Sequence, residues 1–312
     1  MTRKRHVRQQ GMTLIELLVA MACLVLVLAG VYHVFFTQSL SSTAEINILE
    51  AQINARAGMQ RITHVLRHAG FGCRDSFEER SMTGNAPGGG SVTVNATLWN
   101  IQDNTANGTP TSADSVDVVY GFKIVGVTSQ NATEQMTVEL DDFDGCPNID
   151  PGSNFKDYIC FFPYIGGDNF FTVQTAPIPN SDGTLTLDRE ISLLHENASV
   201  YMVAPTRITL DADGDLVMQI FSQGYPSEAA NGFQDLQLEY TENGTGWSGV
   251  PADPNKVIGV RVWLLARSER GDPGYTDTRT YTYAGQTVGP FNDNIHRWLI
   301  EETVWLRNKD QG

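Results

Sequence analysis

Twenty consecutive residues without a formal charge, Leu17 to Phe36 (LLVAMACLVLVLAGVYHVFF), constrain this chain more than any other feature. About 20 apolar residues are what a helix needs to cross a bilayer core, where the backbone must satisfy its own polar groups. Arg3, Lys4, Arg5 and Arg8 precede the run. The bias of basic residues toward the cytoplasm keeps the N-terminus inside and places everything after residue 36 outside. The exported body is acidic. Of the 21 basic residues those four lie before the span, leaving 17 against 36 acidic. Such a surface has no footprint for nucleic acid, which calls for clustered Lys and Arg against phosphates.

An ordinary signal peptide is processed after its apolar region, at a small-residue motif. Here the apolar run passes unbroken into a second helical stretch, and no proline occurs before Pro87. A lipoprotein box at Ala20-Met21-Ala22-Cys23 would leave half the run downstream of the lipidated cysteine. Glu16 fits neither account, because an ionised carboxylate at the edge of hydrocarbon is costly without a partner.

Gly11-Met12-Thr13-Leu14-Ile15-Glu16-Leu17-Leu18, after a short basic leader, resembles the class III signal of type IV prepilins. The resemblance implies cleavage between Gly11 and Met12, N-methylation of Met12 and Glu16 as the fifth residue of the mature chain. Met12 stands where that family most often has Phe. The physical logic of the glutamate is independent of the family. In a bundle of staggered helices in lipid, a free N-terminal ammonium and a neighbour's carboxylate are each expensive alone and neutralise one another when paired. The alternative is a glutamate that snorkels to the headgroups.

Beyond the span, Ile46, Leu49, Ile53, Met59, Ile62 and Leu66 recur at roughly helical spacing, which predicts an amphipathic helix. One helix from about Met12 to about His68 would be ~85 Å long and would stop at Gly70-Phe71-Gly72. Gly30 and Gly58 are soft points in it, with Gly30 the candidate for local unwinding. His64 and His68, at i and i+4, suit the helix C-terminal dipole more simply than a metal.

From Cys73 onward short β-rich runs alternate with Gly, Asn, Asp and Pro clusters. They include Ser91 to Ile101, Val116 to Val127, Val200 to Val203, Ile208 to Asp211 and Val257 to Ala266. Gly84 to Gly90 and Gly224 to Gly232 read as surface loops. Leu66 to Cys73 (LRHAGFGC), Ile258 to Ser268 (IGVRVWLLARS) and Glu302 to Asn308 (ETVWLRN) resemble segments of PilW-type minor pilins. The expected organisation is a cleaved leader (1–11), a long helix (12–72, transmembrane over about 14–36) and a β-rich periplasmic or extracellular head (73–312). The fold class is α+β, a pilin fold with the helix packed on an enlarged, mainly antiparallel sheet.

The remaining features of the head leave alternatives open. In an oxidising compartment Cys146 and Cys160 are the first choice for a bridge, closing a loop of about 15 residues worth roughly 3 kcal/mol, with Cys73 the competing partner. Asp211, Asp213 and Asp215 could face one Ca²⁺, but Asp213-Gly214 is more simply a hairpin turn. Asp141, Asp142 and Asp144 are similarly ambiguous. An exposed aromatic patch within Tyr158 to Phe171 would point to ligand binding, against a buried hairpin. No G-x-S-x-G, H-E-x-x-H, C-x-x-C, P-loop or dinucleotide fingerprint occurs, so catalysis lacks a candidate.

The resemblance thus implies a structural subunit that is not an enzyme and takes no cofactor. Its partners would be other major and minor pilins, a prepilin peptidase, an inner-membrane assembly platform and, before assembly, lipid. It would reside in the inner membrane with a cytoplasmic N-terminus, then in the pilus, at or near the tip. A J-type minor pseudopilin of a type II secretion system and a tip-located binding subunit are the competing functions.

Overall fold

The computed structural model describes residues 13–72, 80–86, 89–106, 108–143, 155, 158–164, 169, 171–175, 181–221 and 226–306. Helix α1 (Leu14–His68) is a single element of 55 residues. It begins at a capping box: the Thr13 hydroxyl accepts from the Glu16 amide at 3.4 Å, and the Glu16 carboxylate accepts from the Thr13 amide at 2.8 Å. Two of the orphan N–H groups of the first turn are thereby satisfied. The helix ends where Ala69 leaves the helical region and Gly70 and Gly72 take φ of 73° and 77°, a conformation that suits a residue without a β-carbon.

The head contains β1 (Met82–Asn85), β2 (Ser91–Val94), β3 (Leu98–Gln102), β4 (Ser115–Thr128), β5 (Gln135–Phe143), β6 (Tyr158–Phe162), β7 (Phe171–Thr175) and β8 (Ser181–Ile191). They are followed by β9 (Ser199–Leu210), β10 (Leu216–Ile220), β11 (Pro226–Ala230), β12 (Phe233–Thr241), β13 (Gly259–Arg267), β14 (Tyr281–Tyr283), β15 (Gln286–Val288) and β16 (Arg297–Trp305). Every pairing among the described residues is antiparallel.

Two bodies are built from these strands. The order β12-β13-β16 forms a sheet whose one face carries Val260, Val262, Leu264, Ala266 and Val304 against Ala55, Met59, Ile62 and Leu66 of α1. The alternate residues Trp263 and Leu265 turn to the other face, where Tyr281, Tyr283 and Val288 of the β14-β15 hairpin cover them, as a period of two requires. The second body is a nine-stranded sheet in the order β11-β10-β9-β6-β7-β8-β5-β4-β3. Because β4 also pairs with β9, six of its strands (β4, β5, β8, β7, β6 and β9) close into a ring. Register shifts between Gly121 and Lys123 and between Ile124 and Gly126 mark where β4 bends into it. The ring holds its own core of Val138, Leu140, Ile159, Phe161, Phe171, Leu187 and Met202 among others.

Several sequence expectations change in the fold. Ser91 to Ile101 is two strands, separated at Asn95 to Thr97. Gly84-Asn85 and residues 226–230, which read as parts of surface loops, lie in strands β1 and β11. Val200 to Val203 and Ile208 to Asp211 are one strand, β9, running through Pro205. The proline is tolerated because Val119, its partner on β4, donates its own N–H to Thr97. Pro205 therefore faces away from β4, into the junction where the other neighbour changes from β6 (at 199–202) to β10 (at 206–210), and no ladder bond is lost.

Candidate functional site

The assembly element predicted from the sequence is the free half of α1. From Leu14 to Ile46 nearly every side chain is exposed, with Leu14 at 81 % and Ile46 at 61 %, and the helix is long and apolar enough to cross a membrane. At its start the Glu16 carboxylate bonds both the Thr13 amide and, at 2.9 Å, the Thr13 hydroxyl. A negative side chain in the first turn is favoured by the helix dipole. Gly11 and Met12 lie outside the described residues. Gly30 has no atom within 4 Å of where a β-carbon would sit.

The helix face that meets the head differs from the predicted stripe. Met59, Ile62 and Leu66 are buried, whereas Leu49 and Ile53 remain exposed, Ile53 at 64 %. In the lower part of the contact the buried positions are Asn47, Ala51, Ala55 and Gly58. Small side chains bring the helix axis close to the sheet, and a β-carbon on Gly58 would stand 2.6 Å from Cζ of Phe233. Gly58 is thus a packing position rather than a soft point. The larger apolar residues Ile46, Leu49 and Ile53 continue the exposed surface of the span instead of entering the head.

The two bodies of the head are joined through buried polar groups that the sequence did not single out. Asp114, at the entry to β4, donates its amide to the Leu236 carbonyl at 2.8 Å. Its carboxylate accepts from the amides of Leu238 (2.7 Å) and Asn104 (2.7 Å). Residues 108–114 therefore lie along the free edge of β12. Asp235 adds to the joint by accepting from the Gly108 amide and the Tyr283 hydroxyl. Burial, with repulsion from Asp103 and Asp235, pushes the Asp114 carboxyl up to about 7 against the pull of its two amide donors. Further along, buried Arg297 bonds Asp277 at 3.1 Å and Asp293 at 2.6 Å and lies 3.8 Å above the Phe291 ring.

The other predicted residues are placed as follows. The Asp211 carboxylate accepts from the amides of Asp213 (3.0 Å) and Asp215 (2.9 Å) inside the β9-β10 turn, and Gly214 takes φ 88° there. Among the described residues no group of three acidic, His or Cys side chains is arranged to hold a metal. Asp144 and Cys146 lie outside the described residues, as does Cys73. Tyr158, Ile159, Cys160, Phe161 and Phe171 are buried, while Phe162 is 54 % exposed, so the aromatic run is mainly strand core. His68 Nδ1 lies 2.7 Å from the His64 carbonyl, and burial, then His68, lowers the His64 pKa.

Two family models match the chain. The prokaryotic N-terminal methylation motif matches residues 7–32, and the family described as type IV pilus-assembly protein W matches residues 227–308. The first covers the leader motif and the start of α1, and the second covers the three-stranded sheet with its β14-β15 insert. No curated protein and no solved structure gives a significant match. A methylation motif opening a long exposed apolar helix, and a segment similar to the PilW family forming the sheet on which that helix packs, support a type IV pilin-like minor pilin.

Proposed function

We propose that the chain is made as a prepilin whose leader, residues 1–11, is removed by a prepilin peptidase between Gly11 and Met12, with methylation of the new N-terminus. The subunit waits in the inner membrane, spanned once by the lower half of α1, with its head in the periplasm. It then enters the filament at or near the tip and primes assembly with other minor and major pilins on the inner-membrane platform. The observation that supports this most directly is the exposed apolar half of α1, with the Glu16 carboxylate at its first turn. Hydrocarbon tolerates such a surface before assembly, and neighbouring helices replace the lipid afterwards.

Glu16 sets the axial register in this scheme by meeting the freed ammonium of an adjacent subunit. Ile46, Leu49 and Ile53 extend the same contact surface above the membrane. Mass spectrometry of the mature protein tests the reading: the N-terminal peptide should begin at methylated Met12. A native protein that keeps residues 1–11 would overturn it.

A further inference from the structure

The three-stranded sheet carries an exposed aromatic step on the face opposite α1. Val260, Val262 and Val304 turn to the helix, so the alternate residues Arg261, Trp263, Glu301 and Trp305 turn away from it, with Glu239 of β12 beside Arg261. Trp263 is covered by the β14-β15 hairpin, but Trp305 is 47 % exposed. The Arg261 guanidinium lies between two indoles, 4.2 Å from the centre of Trp247 and 5.6 Å from that of Trp263, and Trp247 lies 6.2 Å from Trp305. The loop carrying Trp247 is tied by Asn243, whose Oδ1 accepts from the Thr245 and Gly246 amides at 2.9 Å. Trp305 is seated where β13 has Gly259, and a β-carbon there would stand 2.9 Å from the indole Cε3. Rings held in this way lose little freedom when a ligand stacks on them.

We propose that this step binds a neutral, β-linked oligosaccharide, with one pyranose ring stacked on Trp305 and its hydroxyls donating to Glu301. A pyranose with equatorial hydroxyls presents axial C–H groups, which meet the negative face of an indole. Glu239 and Glu301 stand 3.5 and 3.7 Å from Arg261, long for hydrogen bonds, so their oxygens keep acceptor capacity. The Glu301 side chain is 55 % exposed and is the one within reach of a ligand. An apolar protein side chain on Trp305 would strip water from that carboxylate and bring no donor. A sugar covers the ring with carbon and supplies hydroxyls at its rim. Charge narrows the class further: a single guanidinium faces Glu239 and Glu301, and Asp103 repels Glu239 as well. Such a field disfavours an acidic glycan. The step is on the far side of the sheet from α1, so binding does not depend on whether the helix lies in lipid or in a filament.

Isothermal titration of the full-length, detergent-solubilised protein with chitohexaose tests the assignment. Saturable binding with Kd roughly millimolar or tighter is expected. Trp305→Ala should weaken it about tenfold, the equivalent of one lost stack, while Trp305→Phe restores most of the affinity. Should Trp305→Ala melt at a lower temperature than wild type, Glu301→Ala at the exposed rim serves in its place and should also weaken binding. Absence of saturable heat, or the same Kd in wild type and in these variants, would overturn the proposal. Binding of hexalysine without binding of chitohexaose would overturn it too and assign the face to a basic protein segment.

Discussion

Gly58 of the helix and Phe233 of β12 approach so closely that a β-carbon would stand 2.6 Å from the ring's Cζ, with Leu264 Cδ2 at 3.0 Å. Phe233 is fully buried and cannot yield without disturbing the core it shares with Met59 and Leu264. Gly58→Ala gains up to ~1 kcal/mol of helix propensity but overpacks a filled site, which costs about 1–3 kcal/mol. The net expectation is a lower Tm for the detergent-solubilised protein. A Tm equal to or above wild type would show that the helix shifts freely on the sheet.

The joint at Asp114 makes stability depend on pH. Its carboxyl titrates near 7 in the folded chain against 3.8 ordinarily, so between those values the folded state binds the proton more tightly than the unfolded one. Stability contributed by this group is full at low pH and falls as pH rises through the window. Burial raises Asp117, Asp235 and Glu239 as well, which adds in the same direction. His64, lowered, works against it, and Asp277 and Asp293, also lowered, lose their contribution only as pH falls below the ordinary carboxylate range. Thermal melts from about pH 5 to about pH 8 should show declining Tm, with a shallower slope in Asp114→Asn. An identical slope would remove Asp114 as a source.

Arg297 bridges Asp277 and Asp293 in the C-terminal body, and the wholly buried Asp277 side chain is also met by Arg279 at 3.3 Å. Removing the Arg297 guanidinium leaves Asp277 to Arg279, whose side chain is half exposed, so the loss should stay below the ~3–5 kcal/mol of a buried charge left without any partner. Arg297→Met should lower the denaturant midpoint, and adding Asp277→Asn should recover part of the loss. Equal midpoints for the single and double variants would show that the pair is not coupled.

Glu16 has two roles that different substitutions separate. Glu16→Gln keeps the cap acceptor and removes the charge, whereas Thr13→Ala removes the side-chain half of the cap at a cost of ~1 kcal/mol and keeps the charge. If pairing with a neighbour's ammonium sets register, pilus fractions should lose the Gln variant and retain the Ala variant. Incorporation of both at wild-type level would exclude the charge from assembly.

Local chemistry made the anchor legible. An uncharged run of span length, four basic residues before it and a Gly-Phe-Gly stop each act within a few residues, and the helix found runs from Leu14 to His68, opened by a Thr13–Glu16 cap that the structure revealed. The β texture of the head is equally local. Which strands meet is not. Residues of β4 and β9 pair across some 80 positions, and no single-strand pattern records that the ladder returns on itself to close a ring. Pro205 reads as a break in any strand, and only the exchange of neighbours beside it makes the strand continuous.

What the sequence by itself determined, then, is that one long apolar helix opens the chain, roughly how far it runs and that a sheet-rich head follows, because periodicity and charge are written in consecutive residues. Only the tertiary structure decided which side of the helix is buried. Hydrophobicity favoured Ile46, Leu49 and Ile53, but the head chose Ala51, Ala55 and Gly58, since close approach to a flat sheet rewards small side chains and leaves the larger ones for other surfaces.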